Sequence, residues 1–469
     1  MDTNSYIFPV VEIEYSILNY LDPLIDFPKL SLVNKYYSDF VVNDKLFTAL
    51  KQFYLMGKIK NINLTKEENN FVSACTSNNL LIAKYLYQKN KINIHANNEY
   101  AFRWACKKGH LEIAKWLYLL GNEINSPIDI HGDNEFAFRW TCEKGHLEVA
   151  KWLYKKGTEI ASPINIHADN ESAFRLICSN GHLEISKWLH LLGNETGSPI
   201  NIHANNEWAF KSACENGHLT ISKWLYLLGN EIGEPINIHA DNECAFRWTS
   251  SNGHLEIAKW LYLLGNETSS PINIHADDEY AFKSACQNGH LEIAKWLYLL
   301  GNEIGEPINI HADNECAFRW TYYNGHLEIA KWLYLLGNET GSPINIHADD
   351  EFAFKWSCIY GRLEIAKWLH LLGNETNSSI NIHADDEMAF RYACEKGHLE
   401  IAKWLHLLGN EINSPINIHA SDEYAFRHAC YNGHLEIAKW LHLLGNEINS
   451  PINIHADNEY AFRWTCEKG

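Results

Sequence analysis

Histidine is the residue whose number and spacing invite chemistry in this chain. All 25 lie between His95 and His455, and eleven of them (His95, His131, His167, His203, His239, His275, His311, His347, His383, His419 and His455) follow one another at intervals of 36 residues. Imidazole can ligate a metal or move a proton. A shared metal fails on distance, because stacked helices sit about 8–10 Å apart while zinc needs every ligand within about 2.1 Å. A general base fails on uniqueness: Gly109-His110 recurs copy after copy with the same neighbours, Arg362 replaces the histidine in one copy, and catalysis needs one preorganised constellation. The sequence therefore gives no catalytic residue, no metal site and no cofactor, and assigns the histidines structural hydrogen bonds.

Cysteine and tryptophan follow the same rhythm. Cys106, Cys142, Cys178, Cys214, Cys286, Cys358, Cys394, Cys430 and Cys466 share one position of the period, where Ser250 and Tyr322 stand in the remaining copies. A disulfide framework would not tolerate such exchange, whereas a reduced, buried packing position does. Trp116 and its equivalents at 152, 188, 224, 260, 296, 332, 368, 404 and 440 form an aromatic row. It is expected to pack one repeat on the next rather than to stack nucleic-acid bases.

A period of 36 residues means a stacked array. Within the unit 97–132, Asn97 or Asn98 can cap a first helix running to about Lys108, with Glu99 in its opening turn. Gly109 breaks that helix. A second helix runs from about Leu111 to Leu120, and Gly121 is placed to end it in the left-handed conformation. Apolar stripes at Ala101, Phe102 and Ala105 and at Leu111, Ala114, Leu117 and Leu120 face each other. The following stretch, NEINSPIDIHGDN, is too punctuated for a helix and predicts an extended turn or β-hairpin finger. Cys75 precedes His95 by 20 residues where Cys106 precedes His131 by 25, so the finger can be shortened without loss of register. A lone pair buries too little to fold, and stability must come from stacking.

Charge narrows the partners. With 58 acidic and 39 basic residues the net charge is −19, which opposes binding to nucleic acid or to anionic lipid. Neither a signal peptide nor 18 consecutive apolar residues is visible. The expectation is a protein of the cytoplasm without membrane association.

The segment GHLEIAKWL with a glycine four residues later resembles the second helix of an ankyrin repeat, and the resemblance covers about 71–469. It implies an all-α helix-pair solenoid that binds a protein target and catalyses nothing. Two features depart from the family: Tyr100-Ala101-Phe102-Arg103 stands where Thr-Pro-Leu-His is usual, and the period is 36 rather than 33. Glu99 and Arg103, spaced i, i+4, are expected to pair and replace the lost tetrapeptide. The Glu-x-Ala-Phe-Arg motif with a lengthened finger is similar to the ankyrin families of giant DNA viruses of amoebae, which would place the protein in host cytoplasm. Residues 229–300 nearly repeat at 301–372, as recent duplication would produce.

Residues 1–50 do not follow the period. Phe8-Pro9, Ile17-Leu18, Tyr20-Leu21-Asp22-Pro23 and Leu30-Ser31-Leu32-Val33-Asn34-Lys35 resemble an F-box, the helical module that docks on the Skp-type adaptor of cullin-RING ubiquitin ligases. The resemblance implies that Pro9, Ile17, Leu18, Leu21, Leu30 and Val33 contact that adaptor; a plain helical cap on the array is the alternative. The predicted organisation is an F-box-like domain over 1–50, a linker over 51–70, and eleven helix pairs plus a half-repeat over 71–469, with Phe462 of the last helix partly exposed. Copies differ most at Tyr100, Trp104, Lys107 and Lys108, which gather on one helix face. This face, centred on Glu215, Trp248, Gln287 and Trp320, is expected to line a concave target-binding groove.

Overall fold

The computed structural model describes residues 66–468. The F-box-like segment lies outside the described residues, and the first helix, α1 (Lys66–Thr76), opens within the stretch expected as linker. Among the described residues there are 23 helices and no strand. They form eleven pairs and a single last helix, α23 (Ala456–Lys468), as the period implies. Two compact units divide at Ala209/Phe210.

The pair α3 (Ala96–Lys107) and α4 (Leu111–Glu123) illustrates the first unit. Ala101, Phe102 and Ala105 are fully buried on α3, facing Ile113, Ala114, Leu117 and Leu120 on α4. Leu111, expected in that stripe, is only half-buried, and Ile113 takes its place. Gly109 breaks the helix as expected, and with φ of 76° it is the left-handed residue of the turn; a β-carbon there would also collide with the His146 ring at 2.5 Å.

Three local expectations are corrected or, for the finger, decided between the two alternatives. Gly121 does not end α4, which runs on to Glu123. A β-carbon on Gly121 would meet the Ser126 carbonyl oxygen at 2.8 Å and the Ile128 nitrogen at 3.0 Å, so glycine is needed there for close approach of the finger; the left-handed residue is Asn125. The finger is an extended turn and not a β-hairpin. Ile128 and Ile130 anchor it by burial, and its backbone donors are taken by side chains: Asp129 N–H donates to Glu99 and His131 N–H to Asp129.

The third correction concerns the start of the first helix. Asn97, Asn98 and Glu99 all have positive φ, 52°, 55° and 60°, one turn of left-handed backbone before the right-handed helix. The same triplet recurs through Asp457, Asn458 and Glu459. Asn and Asp tolerate this region, which explains their prevalence at the first two places. Glutamate does not, at about 1–2 kcal/mol per residue, and must be held by specific bonds.

Those bonds are made by His95. Its Nδ1 lies 2.8 Å from Glu99, which is buried and also accepts the Asp129 N–H of the following finger. Glu99 thus pairs with His95 rather than with Arg103. Arg103 instead donates to Asp133 of the next repeat at 2.7 Å and to the Asn97 carbonyl. The left-handed turn swings the Glu99 carboxylate inward, out of the i, i+4 register that the expected pair requires.

Tryptophans join repeats in both units, as expected. Trp152 lies 6.3 Å from Phe102 and 5.8 Å from Tyr118 of the preceding repeat, and in the second unit Trp296 lies 6.2 Å from Phe246 and 6.3 Å from Tyr262. Each such ring pair is worth about 0.5–1.5 kcal/mol beyond burial. On α23, Phe462 is 70% exposed where its equivalent Phe354 is fully buried.

Candidate binding surface

The histidine rows act as fasteners between turns. In the second unit, His275 Nδ1 lies 2.8 Å from Glu279, which accepts the Asn309 N–H at 3.1 Å; His383, Glu387 and Asn417 repeat the arrangement. The Gly-His row bonds backward, as in His110 Nε2 to the Thr76 carbonyl oxygen at 3.0 Å. Burial holds His146 below its ordinary pKa, and neighbouring His110 and His182 push the same way. Among the described residues no group of three His, Cys, Asp or Glu is placed to hold a metal ion. Burial pushes the Cys178 and Cys214 thiols up to about 12, so these are packing groups rather than nucleophiles.

A second ladder crosses repeats through the base of the Ala-Phe-Arg/Lys motif. In the first unit Arg103 pairs with Asp133 and Arg139 with Asp169. In the second, Lys211 pairs with Asp241, Arg247 with Asp277, Lys283 with Asp313, Arg319 with Asp349, Lys355 with Asp385 and Arg427 with Asp457. Two rungs lack the aspartate. Arg175 faces Asn205 and Arg391 faces Ser421, and both arginines donate to carbonyls of their own left-handed turns.

This ladder explains part of the variation at the Tyr100 position. Arg103, Arg175, Arg247, Arg319, Arg391 and Arg427 lie over Phe136, Trp208, Tyr280, Phe352, Tyr424 and Tyr460 respectively. Where lysine stands instead, at Lys211, Lys283 and Lys355, the next repeat carries Cys244, Cys316 and Met388. A guanidinium stacks on a ring as an ammonium does not. Arg139, followed by Ser172, is the exception.

The Lys108 position also has a structural duty in the second unit. Asn252 donates to the Glu215 carbonyl, Asn288 to that of Ser251, Asn324 to that of Gln287 and Asn432 to that of Glu395.

The remaining positions form a mostly half-buried strip on the first helices, with Glu143, Ser212, Ser284 and Ile359 buried in it. In the first unit Tyr100 packs on Trp104 at 5.5 Å and Lys107 Nζ sits 4.4 Å from the Trp104 ring and 3.5 Å from the Trp140 ring. Burial lowers the pKa of that ammonium. In the second unit Glu215 and Trp248 are half-buried, and burial raises the Glu215 carboxyl.

Trp320 belongs to a denser cluster on α15 (Ala312–Asn324) and α17 (Ala348–Ile359). It lies 5.6 Å from Tyr323, Tyr323 lies 4.2 Å from Tyr360, and Trp356 stacks on Tyr360 at 5.4 Å and 17°. Burial and the bond to Tyr323 push the Tyr360 hydroxyl up to about 12. Tyr323, Trp356 and Tyr360 were not singled out from sequence, although tyrosines at the Lys107 and Lys108 positions were a visible signal. The adaptor-contact residues Pro9, Ile17, Leu18, Leu21, Leu30 and Val33 lie outside the described residues.

Comparison with known proteins gives one family. A model of ankyrin repeats in many copies matches residues 71–118, 138–190, 353–406 and 390–442, and a model of three ankyrin repeats matches 210–314 and 246–347. No curated protein matches the chain.

Proposed function

The chain belongs to the ankyrin-repeat family, a protein-binding scaffold generally without enzymatic activity, and from that premise we propose that it is a substrate adaptor for a cullin-RING ubiquitin ligase. In this reading the array holds a target protein while residues 1–50 engage a Skp-type adaptor, with Leu18 and Leu21 among the aliphatic anchors that dominate such contacts. The observation that supports target binding is the contrast within each first helix: Phe102 and its equivalents stay fixed and, as far as Phe426, buried, while the positions of Trp104 and Lys107 vary on a mostly half-buried face. The Phe8-Pro9 to Lys35 motif supports the adaptor half.

Deletion of residues 1–50 separates the two halves. Full-length chain should co-purify a Skp-type protein and a target from host extract; the deletion should lose the first and keep the second. If full-length chain captures targets but no Skp-type protein, the N-terminal segment is a cap and the protein is a bare scaffold that sequesters or competes. Truncation at Glu215, Trp248, Gln287 or Trp320 should weaken target capture, whereas changes at Glu256 and Lys259 on the second helix should not. Equal loss at both surfaces would refute the assignment of the groove.

A further inference from the structure

The acidity of this protein is confined to one part of it. Residues 210–469 carry 35 acidic and 18 basic residues, a net charge of −17, whereas residues 1–209 carry 23 and 21. The aromatic cluster of Trp320, Tyr323, Phe352, Trp356 and Tyr360 lies in this acidic part. Tyr323 is 38% exposed and Trp320, Phe352, Trp356 and Tyr360 are half-buried, so their ring faces and edges reach solvent.

The nearby bases are engaged. Arg319 pairs with Asp349 and lies 5.1 Å over Phe352. Lys355 pairs with Asp385 and, at 3.6 Å, with Asp350. Arg362 donates to the Tyr323 carbonyl at 3.4 Å.

We propose that the Trp320–Tyr360 aromatic cluster is the docking site for an arginine-bearing basic segment of the target protein. Charge complementarity selects the partner: a surface with this excess of carboxylates attracts a cationic chain and repels a phosphate backbone, which could otherwise use the same rings for base stacking. The cluster also selects arginine over lysine, because a planar guanidinium stacks on rings and keeps its donors free for carboxylates. The array uses that geometry internally, where Arg391 lies 5.0 Å from the Tyr424 ring and Arg427 lies 5.1 Å from that of Tyr460. Tyr323 and Tyr360 stand at positions where other copies carry Ser251 and Asn252, so the repeat does not require a ring at either place.

This inference rests on the target-binding half of the function proposed above and is independent of the adaptor half. The test uses full-length chain and a fluorescein-labelled (Arg-Gly)4 peptide, with affinity read by polarisation. The double variant Tyr323→Ser, Tyr360→Asn installs residues that sister repeats already carry, so the fold persists, as circular dichroism would verify. Its affinity should fall about tenfold, while Glu256→Gln should change it less than about twofold, and (Lys-Gly)4 should bind more weakly than (Arg-Gly)4. Unchanged affinity in the double variant, equal binding of the lysine peptide, or tighter binding of oligo(U) RNA would each overturn the proposal. So would sedimentation showing that the double variant abolishes self-association of the wild type, since the cluster would then be a contact between copies. Loss of Skp-type capture leaves the inference standing; loss of peptide binding with target capture intact removes this inference alone.

Discussion

The two compact units use the same repeat and differ in what they show to solvent. Residues 1–209 are close to neutral and present Lys107, Lys108 and Lys144 beside Trp104 and Trp140, whereas residues from 210 on are strongly acidic and carry Glu215, Ser251, Gln287, Tyr323, Ile359, Glu395 and Tyr431 at the Lys107 position. The fasteners are the same in both: His95 with Glu99 and His275 with Glu279 have equal 2.8 Å contacts. Interior chemistry is thus set by the repeat, and the surface is free to diverge. Each fastener can be broken in either unit to test whether the units are equivalent inside.

The largest effect is expected from the buried glutamates. Replacing Glu135 or Glu279 by Ala leaves a histidine and a finger N–H without their acceptor and removes the bonds that hold a left-handed turn. Each should destabilise the chain by about 2–3 kcal/mol, read as a shift of the denaturation midpoint in urea. If Glu279→Ala is costly and Glu135→Ala is not, the units are unequal inside as well as outside.

A smaller effect should follow from completing the broken rung of the first unit. Asn205→Asp gives Arg175 the partner that Arg139 has in Asp169, and should stabilise by about 0.3–1 kcal/mol. Ser421→Asp in the second unit should gain less, because the Ser421 hydroxyl now donates to Asp386 and a carboxylate there would face another. Equal gains, measured by thermal melting, would mean that local acidity does not modulate the ladder.

Acid should act through the Gly-His row. Burial, with their histidine neighbours, holds His146 and His254 below the ordinary value of about 6.5. A folded value below the unfolded one contributes stability that is present above about pH 6.5 and is lost as pH falls through the folded value. Arg362 interrupts the row and adds a fixed charge beside His326 and His398, lowering both further. Arg362→Gln should therefore raise the NMR titration midpoints of His326 and His398 and leave that of His146 unchanged. No movement at His326 and His398 would show that burial and the neighbouring histidines set them without the Arg362 charge.

The helix pairs, the Phe102 and Cys106 rows, buried except at Cys430, Phe462 and Cys466, and the tryptophan joints were legible because apolar periodicity and glycine punctuation are local signals. Pairing was less legible. Glu99 and Arg103 stand at a favourable helical spacing, yet three left-handed residues move Glu99 off the helix surface, and no spacing rule anticipates a turn stabilised by a contact 30 residues away. Gly121 was misassigned for a related reason. A glycine near a helix end usually caps it, and only the finger passing within 3.0 Å of its would-be β-carbon reveals the other need. The aromatic cluster escaped notice because its five rings come from two repeats.

The smallest effect concerns the outer surface of the second helices, where Leu191 in the first unit and Leu299 in the second stand 57% and 58% exposed, with Lys155 at the same place in another copy. An exposed leucine contributes little to folding, although leucine recurs exposed at this place in other copies, from Leu119 to Leu443. Leu299→Lys should therefore change unfolding free energy by no more than about 0.5 kcal/mol, and, lying on the second helix rather than the first, should leave (Arg-Gly)4 affinity within about twofold. Leu191→Lys is the matched change in the near-neutral unit. If Leu299→Lys weakens peptide binding strongly while Leu191→Lys does not, the basic segment is held by the general acidity of residues 210–469 rather than by the rings of Tyr323 and Tyr360. A null result at both leucines, beside a tenfold loss at the tyrosines, would confine recognition to the first-helix face.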